Sequence, residues 1–341
     1  LFFAQDEKGR HVAIKLVKKD SDEYKIAQIL LEKGDAAVNH CVIPILEIID
    51  CEEHAFMVMP RWDEVGLTQW LRTLANVLDY VHCLLKGLAF LHEHCIIHRD
   101  LKVDNILCNH FGIHCWEHNW LRNELMKQRR LIFAISDFNM SLLLPPSSRP
   151  RCFRLPTCRS WESYVDRAYD VRQGELDYDP FLLDVGNLGV VFARYLRGCT
   201  SLAPILAPLI DSMVTDDLSR RFTASEALQF FEATVDSVPR ENLDVRVRFQ
   251  PSTGGPFEDV VYLDRWVGLS PEFIVKWSAY RLQKPTLSLR FLRWFCDLDD
   301  RAFFAVQSVR FFLRGHFTAA FLRAGHALTL AENWFRPEDE L

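Results

Sequence analysis

The stretch from His98 to Asn105 places charged and amide side chains together within eight residues, in the order His-Arg-Asp-Leu-Lys-Val-Asp-Asn. A carboxylate such as that of Asp100 can accept a proton from a hydroxyl group. An amide oxygen such as that of Asn105 can hold a magnesium ion, and the ammonium of Lys102 can neutralise nearby negative charge. An apolar run precedes this stretch and Ile106–Leu107 follows it. We therefore predict a polar, chemically equipped loop between a buried helix and a short strand.

This stretch resembles the catalytic loop of the eukaryotic protein kinases, whose pattern is H-R-D-L-x-x-x-N. The resemblance implies that Asp100 accepts the proton of a substrate hydroxyl and that Lys102 neutralises charge on the transferred phosphate. It also implies that Asn105 holds magnesium. A lysine at position 102 is typical of kinases that act on Ser and Thr rather than on Tyr. His98 and Arg99 would support the loop, and Arg99 could pair with a phosphate on a neighbouring segment.

A predicted strand, His11–Val17, resembles the V-A-I-K strand of the same family, which implies that Lys15 holds the α- and β-phosphates of ATP. Alone this match is weak evidence, but its place upstream of the catalytic loop strengthens it. A predicted helix follows, and its Glu23 would orient Lys15 through an ion pair. Asp22 and Glu32 are less favoured partners, and an acidic first turn also suits the helix dipole.

The segment Ala55–Met59 is a predicted strand that leads towards the connection between two lobes. By resemblance, Met59 lies beside the adenine pocket and the three residues after it form the hinge. Because proline has no amide hydrogen, adenine would be bound by the Pro60 carbonyl and by the backbone of Trp62.

The glycine-rich loop of the family, G-x-G-x-x-G, is not found upstream of Lys15. The chain begins at Leu1 rather than at Met, so we expect a fragment truncated before that loop. The backbone amides that would cover the nucleotide phosphates are therefore not visible in this sequence.

A predicted strand ends in Ser136–Asp137–Phe138–Asn139, which resembles D-F-G with Asn in place of Gly. The resemblance implies that Asp137 is a magnesium ligand and that Phe138 packs under the helix that carries Glu23. Asn is the best-tolerated residue after Gly at positive φ, so we expect the substitution to lower flexibility at this position more than it removes chemistry.

Residues 140–178 would form the activation segment. Its hydroxyl side chains are candidate phosphorylation sites, namely Ser147, Ser148, Thr157, Ser160, Ser163 and Tyr164. The family's A-P-E motif is not found, and Glu162 and Glu175 both stay open as its substitute. Asp184, in a stretch that resembles D-V-W-S-L-G, would anchor the catalytic loop. Arg221, in a stretch that resembles D-P-x-x-R-x-T-A-x-E-A-L, would bond the acidic substitute.

Residues 108–130 separate two predicted strands that the family connects more tightly, so we predict an insertion beside the active site. Its Cys and His side chains are potential zinc ligands, namely Cys108, His110, His114, Cys115 and His118. Their spacing matches no zinc motif, so a polar insertion is favoured over a metal site.

The chain has 341 residues, 49% hydrophobic and 25% charged, which is typical of a globular protein with one or two domains. The net charge of −6 does not indicate a nucleic-acid partner. The ten cysteines lack disulfide-like spacing and suit reduced thiols. Neither a signal peptide nor an unbroken apolar run of about 18 residues is found. We expect a cytoplasmic or nuclear protein that is not secreted and has no transmembrane segment.

These features predict an α+β, bilobal protein-kinase-like fold. We expect a partial, β-rich N-lobe over residues 1–59, a helical C-lobe over residues 60–232 and a helical C-terminal extension over residues 233–341. Aromatic and basic residues alternate in the extension, which makes it a candidate partner surface. Packing of its helices on each other or on the C-lobe is the favoured alternative, and contact with a membrane surface is less favoured.

The predicted reaction is transfer of the γ-phosphate of ATP, with magnesium, to Ser or Thr hydroxyls of a protein substrate. The first alternative is a pseudokinase that acts as a nucleotide-binding or scaffold module. The missing glycine-rich loop, Asn139 and the absent A-P-E motif favour that alternative, whereas the retained side chains Lys15, Asp100, Asn105 and Asp137 oppose it. A small-molecule phosphotransferase of related fold is less favoured, because such enzymes tend to lack the V-A-I-K strand.

Overall fold

The computed structural model describes residues 1–64, 71–112, 119–160, 168–247 and 260–314. The chain divides into two compact units. The first comprises Leu1–Ala168 and Asp179–Lys284, and the second comprises Tyr169–Tyr178 and Pro285–Leu341. The predicted domain boundaries after residues 59 and 232 stay predictions.

A four-stranded antiparallel sheet in the order β1-β2-β4-β3 opens the first unit. Its strands are β1 (Phe2–Gln5), β2 (His11–Lys18), β3 (Glu47–Cys51) and β4 (His54–Pro60). In its register Lys15 lies opposite Met57, and Ala13 lies opposite Met59. Because side chains alternate along a strand, Ala13, Lys15, Met57 and Met59 share one face of the sheet, and all four line the same cleft.

Helix α1 (Asp22–Lys33) follows β2 and is succeeded by the short helix α2 (Asp35–Asn39). The Ser21 hydroxyl caps α1 by accepting the backbone N–H of Tyr24. The buried residues of α1 recur at helical spacing, which fixes the rotation of the helix about its axis; they are Ile26, Ala27 and Leu30. That rotation holds Glu23, in the first turn, next to the sheet.

Helix α3 (Leu74–Glu93) crosses the core of the first unit, as the apolar spacing predicts. Thr73 and Asn76 form a capping box at its start. Among the described residues, it is the one helix that is long and apolar enough to cross a membrane, but most of its apolar window is buried inside the protein. Its apolar character is that of a core helix, and it delivers the chain to the catalytic loop.

The remaining strands of the first unit are short. They are β5 (Asp63–Glu64), β6 (Ile96–Ile97), β7 (Ile106–Cys108), β8 (Phe133–Ile135), β9 (Leu142–Leu143) and β10 (Leu155–Pro156). Strands β5, β7 and β8 form one sheet, and β6 pairs with β9. These pairings place the loop before β7 beside the loop after β8.

Helices form most of the rest of the first unit. They are α4 (Trp120–Lys127), α5 (Pro180–Tyr195), α6 (Leu206–Val214), α7 (Ala224–Thr234), α8 (Arg240–Leu243) and α9 (Pro271–Trp277). A β-rich N-terminal region followed by a mostly helical remainder confirms the predicted α+β fold.

Part of the predicted C-terminal extension is integrated into the first unit through buried Asp211 of α6. Its carboxylate accepts hydrogen bonds from Arg265 Nη1 at 2.8 Å and from Trp266 Nε1 at 2.7 Å. It also accepts the backbone N–H of Leu282 at 2.9 Å. The buried Asp211 side chain therefore binds the segment up to residue 284 to the rest of the first unit.

The second unit joins residues 169–178, which include β11 (Asp177–Tyr178), to α10 (Leu287–Cys296) and to the helical residues 300–314. The buried Arg293 guanidinium lies 3.6 Å from the centroid of the Tyr169 ring. The Gln307 amide donates to the carbonyl of Glu175 at 2.7 Å. The last ten residues of the predicted activation segment therefore pack with the C-terminal helices.

Candidate active site

The largest set of predicted site residues lines one cleft of about 330 Å³ in the first unit. The sheet, the hinge, the loop before β7 and the segment after β8 all contribute to its wall. The predicted site residues in that wall are Lys15, Met59, Pro60, Trp62, Asn105 and Asp137. Their convergence follows from the sheet register and from the pairing of β7 with β8.

Lys15 lies between two carboxylates, on the side of the cleft where the resemblance places the phosphates. Its Nζ is 2.6 Å from Glu23 Oε1 and 2.7 Å from Asp137 Oδ1. Burial alone would lower the pKa of Lys15, but the charges and hydrogen bonds of the two carboxylates outweigh it, and the pKa is raised. Burial would likewise raise the pKa of Asp137, but Lys15 outweighs it, and that pKa is lowered. Lys15 and Asp137 are therefore both charged near neutral pH.

The alternative partners of Lys15 are engaged or placed elsewhere. The Asp22 carboxylate accepts the backbone N–H of Leu143 at 3.2 Å and lies 3.5 Å from Lys25 Nζ. Glu32 is exposed. Of the three acidic residues that the sequence offers, Glu23 is the one in contact with Lys15.

The catalytic loop is anchored by Asp184, a buried residue of α5. Its carboxylate accepts the backbone N–H groups of His98 at 2.7 Å and of Arg99 at 2.8 Å. The two oxygens divide these donors, so the loop backbone is fixed at two successive residues. The sequence predicts this anchor but misses His92 of α3, whose Nε2 lies 3.3 Å from the same carboxylate.

The buried imidazole of His98 connects the loop to the segment after β8. Its Nε2 donates to the Ser136 carbonyl at 2.9 Å, and its Nδ1 accepts the backbone N–H of Asp100 at 3.2 Å. Burial lowers the pKa of His98, although the Asp184 charge opposes this shift. A neutral ring with its hydrogen on Nε2 satisfies both contacts.

The two carboxylate oxygens of Asp100 differ in their hydrogen bonding. Its Oδ2 accepts Lys102 Nζ at 2.8 Å and Asn105 Nδ2 at 2.8 Å. Its Oδ1 is buried and has no hydrogen-bond partner among the described residues. Because a buried polar atom without a partner is costly, Oδ1 is suited to receive an external hydroxyl.

The metal-holding side chains that the sequence predicts, Asn105 and Asp137, both line the cleft. The Asn105 amide nitrogen donates to the main-chain oxygen of Asp100 at 2.8 Å, which leaves the amide oxygen as the potential metal ligand. Carboxylate and amide oxygens are the ligands that a hard divalent cation prefers. The residues present therefore fit magnesium, with Asn105 and Asp137 as the side chains that would hold it.

No zinc-like cluster is found among the described residues. In the insertion, Cys108 is buried, and its Sγ lies 3.5 Å from the carbonyl oxygen of His110. The other candidate ligands, His114, Cys115 and His118, lie outside the described residues.

The backbone at the predicted D-F-G position differs from the expectation. The residue with positive φ is Asp137, at 64°, and Asn139 is not among the described residues of positive φ. Asn139 therefore does not use the left-handed backbone at which Asn replaces Gly well, and the expected loss of flexibility stays a prediction. Phe138 is buried, with its ring 5.5 Å from the His98 ring.

Arg99 is engaged with the backbone of the predicted activation segment. Its Nε donates to the Met140 carbonyl at 2.5 Å, and its Nη1 donates to the Arg159 carbonyl at 2.8 Å. It adopts a positive φ of 66°, which the two Asp184 contacts to the adjacent backbone help to hold. The guanidinium thus links the loop to this segment through neutral carbonyls.

The candidate phosphorylation sites differ in accessibility. Ser147 is exposed, whereas Ser148, Thr157 and Ser160 are buried. Ser163 and Tyr164 lie outside the described residues. Among the described candidates, a kinase could reach Ser147 without opening the segment.

Arg221 is fully buried and donates to backbone carbonyls, including Thr215 at 2.7 Å and Leu182 at 3.1 Å. Of the two candidate acidic partners, Glu162 lies outside the described residues. Within the second unit, Glu175 accepts the backbone N–H of Gln173 at 2.7 Å, and burial raises the pKa of Glu175 to about 7. The identity of the acidic substitute stays a prediction.

Two backbone groups of the hinge form a hydrogen bond with each other. The backbone N–H of Trp62 donates to the Pro60 carbonyl at 3.0 Å, so both groups predicted to bind adenine bond to one another. Further along, burial raises the pKa of Glu64, and the charges of Asp104 and Asp63 add to the shift. The roles assigned to the hinge stay predictions.

Known proteins resemble this chain in the region that carries the site. The family described as "Protein kinase domain" matches residues 3–169. Serine/threonine-protein kinase MAK of Mus musculus is 32% identical over 111 residues, which cover 30% of this chain and 18% of that relative. Serine/threonine-protein kinase ICK of Rattus norvegicus is 29% identical over 110 residues, which cover 30% and 17%.

The chain thus spans less than a fifth of the length of these relatives. Within the matched residues lie the Lys15–Glu23 pair, the loop with Asp100 and Asn105, and Asp137. A protein kinase domain implies ATP and a divalent metal. The match and the geometry agree that, through residues 3–169, this chain belongs to the eukaryotic protein kinase superfamily.

Proposed function

We propose that this protein transfers the γ-phosphate of ATP to Ser or Thr hydroxyls of a protein substrate. The observation that carries the proposal is the pair of Asp100 oxygens, one held by Lys102 and Asn105 and the other buried without a partner among the described residues. A hydroxyl that reaches Oδ1 would give up its proton there, while Lys102 faces the transferred phosphate.

The opposite side of the cleft would bind the nucleotide. Lys15 would position the phosphates, and Glu23 would hold Lys15 in place. Magnesium, held by Asn105 and Asp137, would neutralise charge on the phosphates. Since the Asp137 carboxylate contacts Lys15 directly, Asp137 would give up part of that contact in order to hold a metal ion.

Lys102 and the names of the two relatives support Ser or Thr as the acceptor. Localisation in the cytoplasm or nucleus also stays a proposal, supported by cysteines that are free in the part of the chain the structure describes.

A second candidate function is a nucleotide-binding pseudokinase. The bond between the Trp62 N–H and the Pro60 carbonyl favours it, because adenine would have to break that contact to use both groups.

The test is transfer of labelled γ-phosphate from Mg-ATP to Ser, Thr and Tyr peptides in a mixed basic library. The matched control is Asp100→Asn, which keeps the size of the side chain and removes the proton acceptor. We expect labelling of Ser and Thr peptides that falls at least about a hundredfold in the control. Labelling of equal strength in both proteins would reject Asp100 as the base. Nucleotide binding without any transfer would favour the pseudokinase.

A further inference from the structure

The insertion after β7 reaches the hinge through its first residues. The backbone N–H of Asp63 donates to the His110 carbonyl at 3.2 Å, and the backbone N–H of Gly112 donates to Asp63 Oδ2 at 3.3 Å. Strands β5 and β7 also pair, with Asp63 opposite Cys108. Asp63 lies in the wall of the cleft, directly after the hinge. The insertion therefore contacts a residue of the cleft wall.

An ion pair between buried Arg122 and partly exposed Asp63 strengthens this contact. Arg122, in the first turn of α4, is 1% exposed, and its Nη2 donates to Asp63 Oδ2 at 3.0 Å. Its Nε lies 3.4 Å from His110 Nδ1. Burial lowers the pKa of His110, and the Arg122 charge lowers it further, so the ring is neutral and Nδ1 can accept. Because burying an unpaired guanidinium is costly, the pair with Asp63 helps to fix where α4 lies relative to the hinge.

The Arg61 side chain of the hinge contacts two aromatic rings. The Arg61 guanidinium lies 4.7 Å from the centroid of the Phe111 ring and 4.2 Å from that of Phe3 on β1. The Phe111 ring also lies 4.7 Å from the His11 ring on β2. Stacking of this kind favours one position of the guanidinium between the two rings. The first strands, the hinge and the insertion are thereby joined.

We propose that residues 110–112 and α4 form a hinge brace, in which Arg122 and Phe111 are positioning residues for the nucleotide pocket. Arg122 fixes Asp63, and Phe111 fixes Arg61. Trp62, which lines the cleft, is the residue between those two. The link to affinity rests on the proposed function, since it requires that the cleft binds a nucleotide.

The brace affects binding more than chemistry. A hinge held in one conformation loses less conformational entropy when a ligand binds, so loss of the brace weakens affinity. Asp100 and the loop backbone are held separately by Lys102, Asn105 and Asp184. We therefore expect a variant without the brace to raise KM for ATP while kcat changes little.

The test compares Arg122→Gln with Arg129→Gln. Arg129 follows α4 in the same insertion, and its exposed guanidinium pairs with Asp79 of α3 instead of with the hinge. Calorimetry with magnesium and ADP, and with a non-hydrolysable ATP analogue, measures the dissociation constants. We expect roughly tenfold weaker binding for Arg122→Gln and less than about twofold change for Arg129→Gln. Equal nucleotide affinities of the wild type, Arg122→Gln and Arg129→Gln would overturn the link between the brace and nucleotide binding.

Hydrogen–deuterium exchange of the ligand-free protein tests the brace without a nucleotide. The amides of residues 61–64 should exchange faster in Arg122→Gln than in the wild type. In Arg129→Gln they should exchange at the wild-type rate. Unchanged protection in both variants overturns the brace. A wild-type chain that binds no nucleotide rejects the proposed function, and the exchange data then decide on the brace alone. Phe111→Leu, which removes the ring and keeps an apolar side chain, serves if Arg122→Gln does not fold.

Discussion

Two sets of charged side chains hold the site residues in place, and they differ in how far they are removed from water. On the catalytic-loop side, the Asp184 side chain is 1% exposed and accepts two backbone N–H groups. On the phosphate side, the Lys15 and Asp137 side chains are 24% and 39% exposed, and they pair with each other. A buried anchor cannot be replaced by water, whereas a partly exposed ion pair can exchange partners at little cost.

The difference in exposure indicates that one set stabilises the loop and the other can rearrange when a ligand binds. The loop that carries Asp100 is set by folding and is ready before any ligand binds. The Lys15, Glu23 and Asp137 cluster holds its charges together but leaves them open to rearrangement by phosphate and metal. Substitutions on the two sides should therefore separate stability from binding.

The largest effect is expected for Asp184→Ala. It leaves two buried backbone N–H groups without their acceptor, which costs about 3–5 kcal/mol of unfolding free energy. Chemical denaturation at neutral pH measures the loss. Asp184→Asn keeps one acceptor oxygen and should lose less. A loss below about 1 kcal/mol for Asp184→Ala would show that the loop does not depend on this anchor.

The substitution Lys15→Gln addresses the phosphate side. We expect nucleotide affinity to fall at least about tenfold, which corresponds to about 1.4 kcal/mol. We expect the unfolding free energy to change by less than about 1 kcal/mol, because the ion pairs are partly exposed. Calorimetric titration and denaturation of the same preparation give both numbers. If Lys15→Gln strongly lowered the unfolding free energy and left nucleotide affinity unchanged, Lys15 would serve stability rather than binding.

The two sides should also differ in their response to acid. The pKa of His98 is lowered by burial, so the unfolded chain binds its proton more tightly than the folded one. Stability from the neutral ring is present above pH 6.5, the ordinary pKa of histidine, and is lost as the pH falls below it. The pKa of Asp137 is lowered from 3.8, so its contribution is lost only at still lower pH.

Unfolding free energies measured between pH 7 and pH 5 test this difference. His98→Gln should show a shallower fall than the wild type, and Asp137→Asn should keep the wild-type slope. Because the pKa of His110 is also lowered, His110→Gln serves as a second comparison. Parallel slopes for the wild type and His98→Gln would exclude His98 as the acid-sensitive group.

The smallest effect is expected for Asn139→Gly. Since the positive φ lies at Asp137 and not at Asn139, glycine gains no backbone advantage there. It should lower stability by less than about 1 kcal/mol through the greater freedom of the unfolded chain. Thermal unfolding together with the phosphate-transfer assay checks this. A marked rise in activity would show that Asn139 restricts the segment after all.

The sequence by itself determined the local features of the site. Asp100, Lys102 and Asn105 lie within six residues, so their mutual hydrogen bonds need only one tight loop. Ser21 and the apolar spacing of α1 likewise set where Glu23 stands on its helix. Such features follow from hydrogen bonding and periodicity over one or two turns of chain.

Only the tertiary structure decided which distant groups meet and in what state. Lys15 and Asp137 are separated by 122 positions, and the contact between them depends on packing of the first sheet against the rest of the unit. The sequence carried no signal that Arg122 would be buried against Asp63, or that residues 169–178 would pack with the C-terminal helices. Burial and backbone geometry are collective results of packing, and a linear pattern does not contain them.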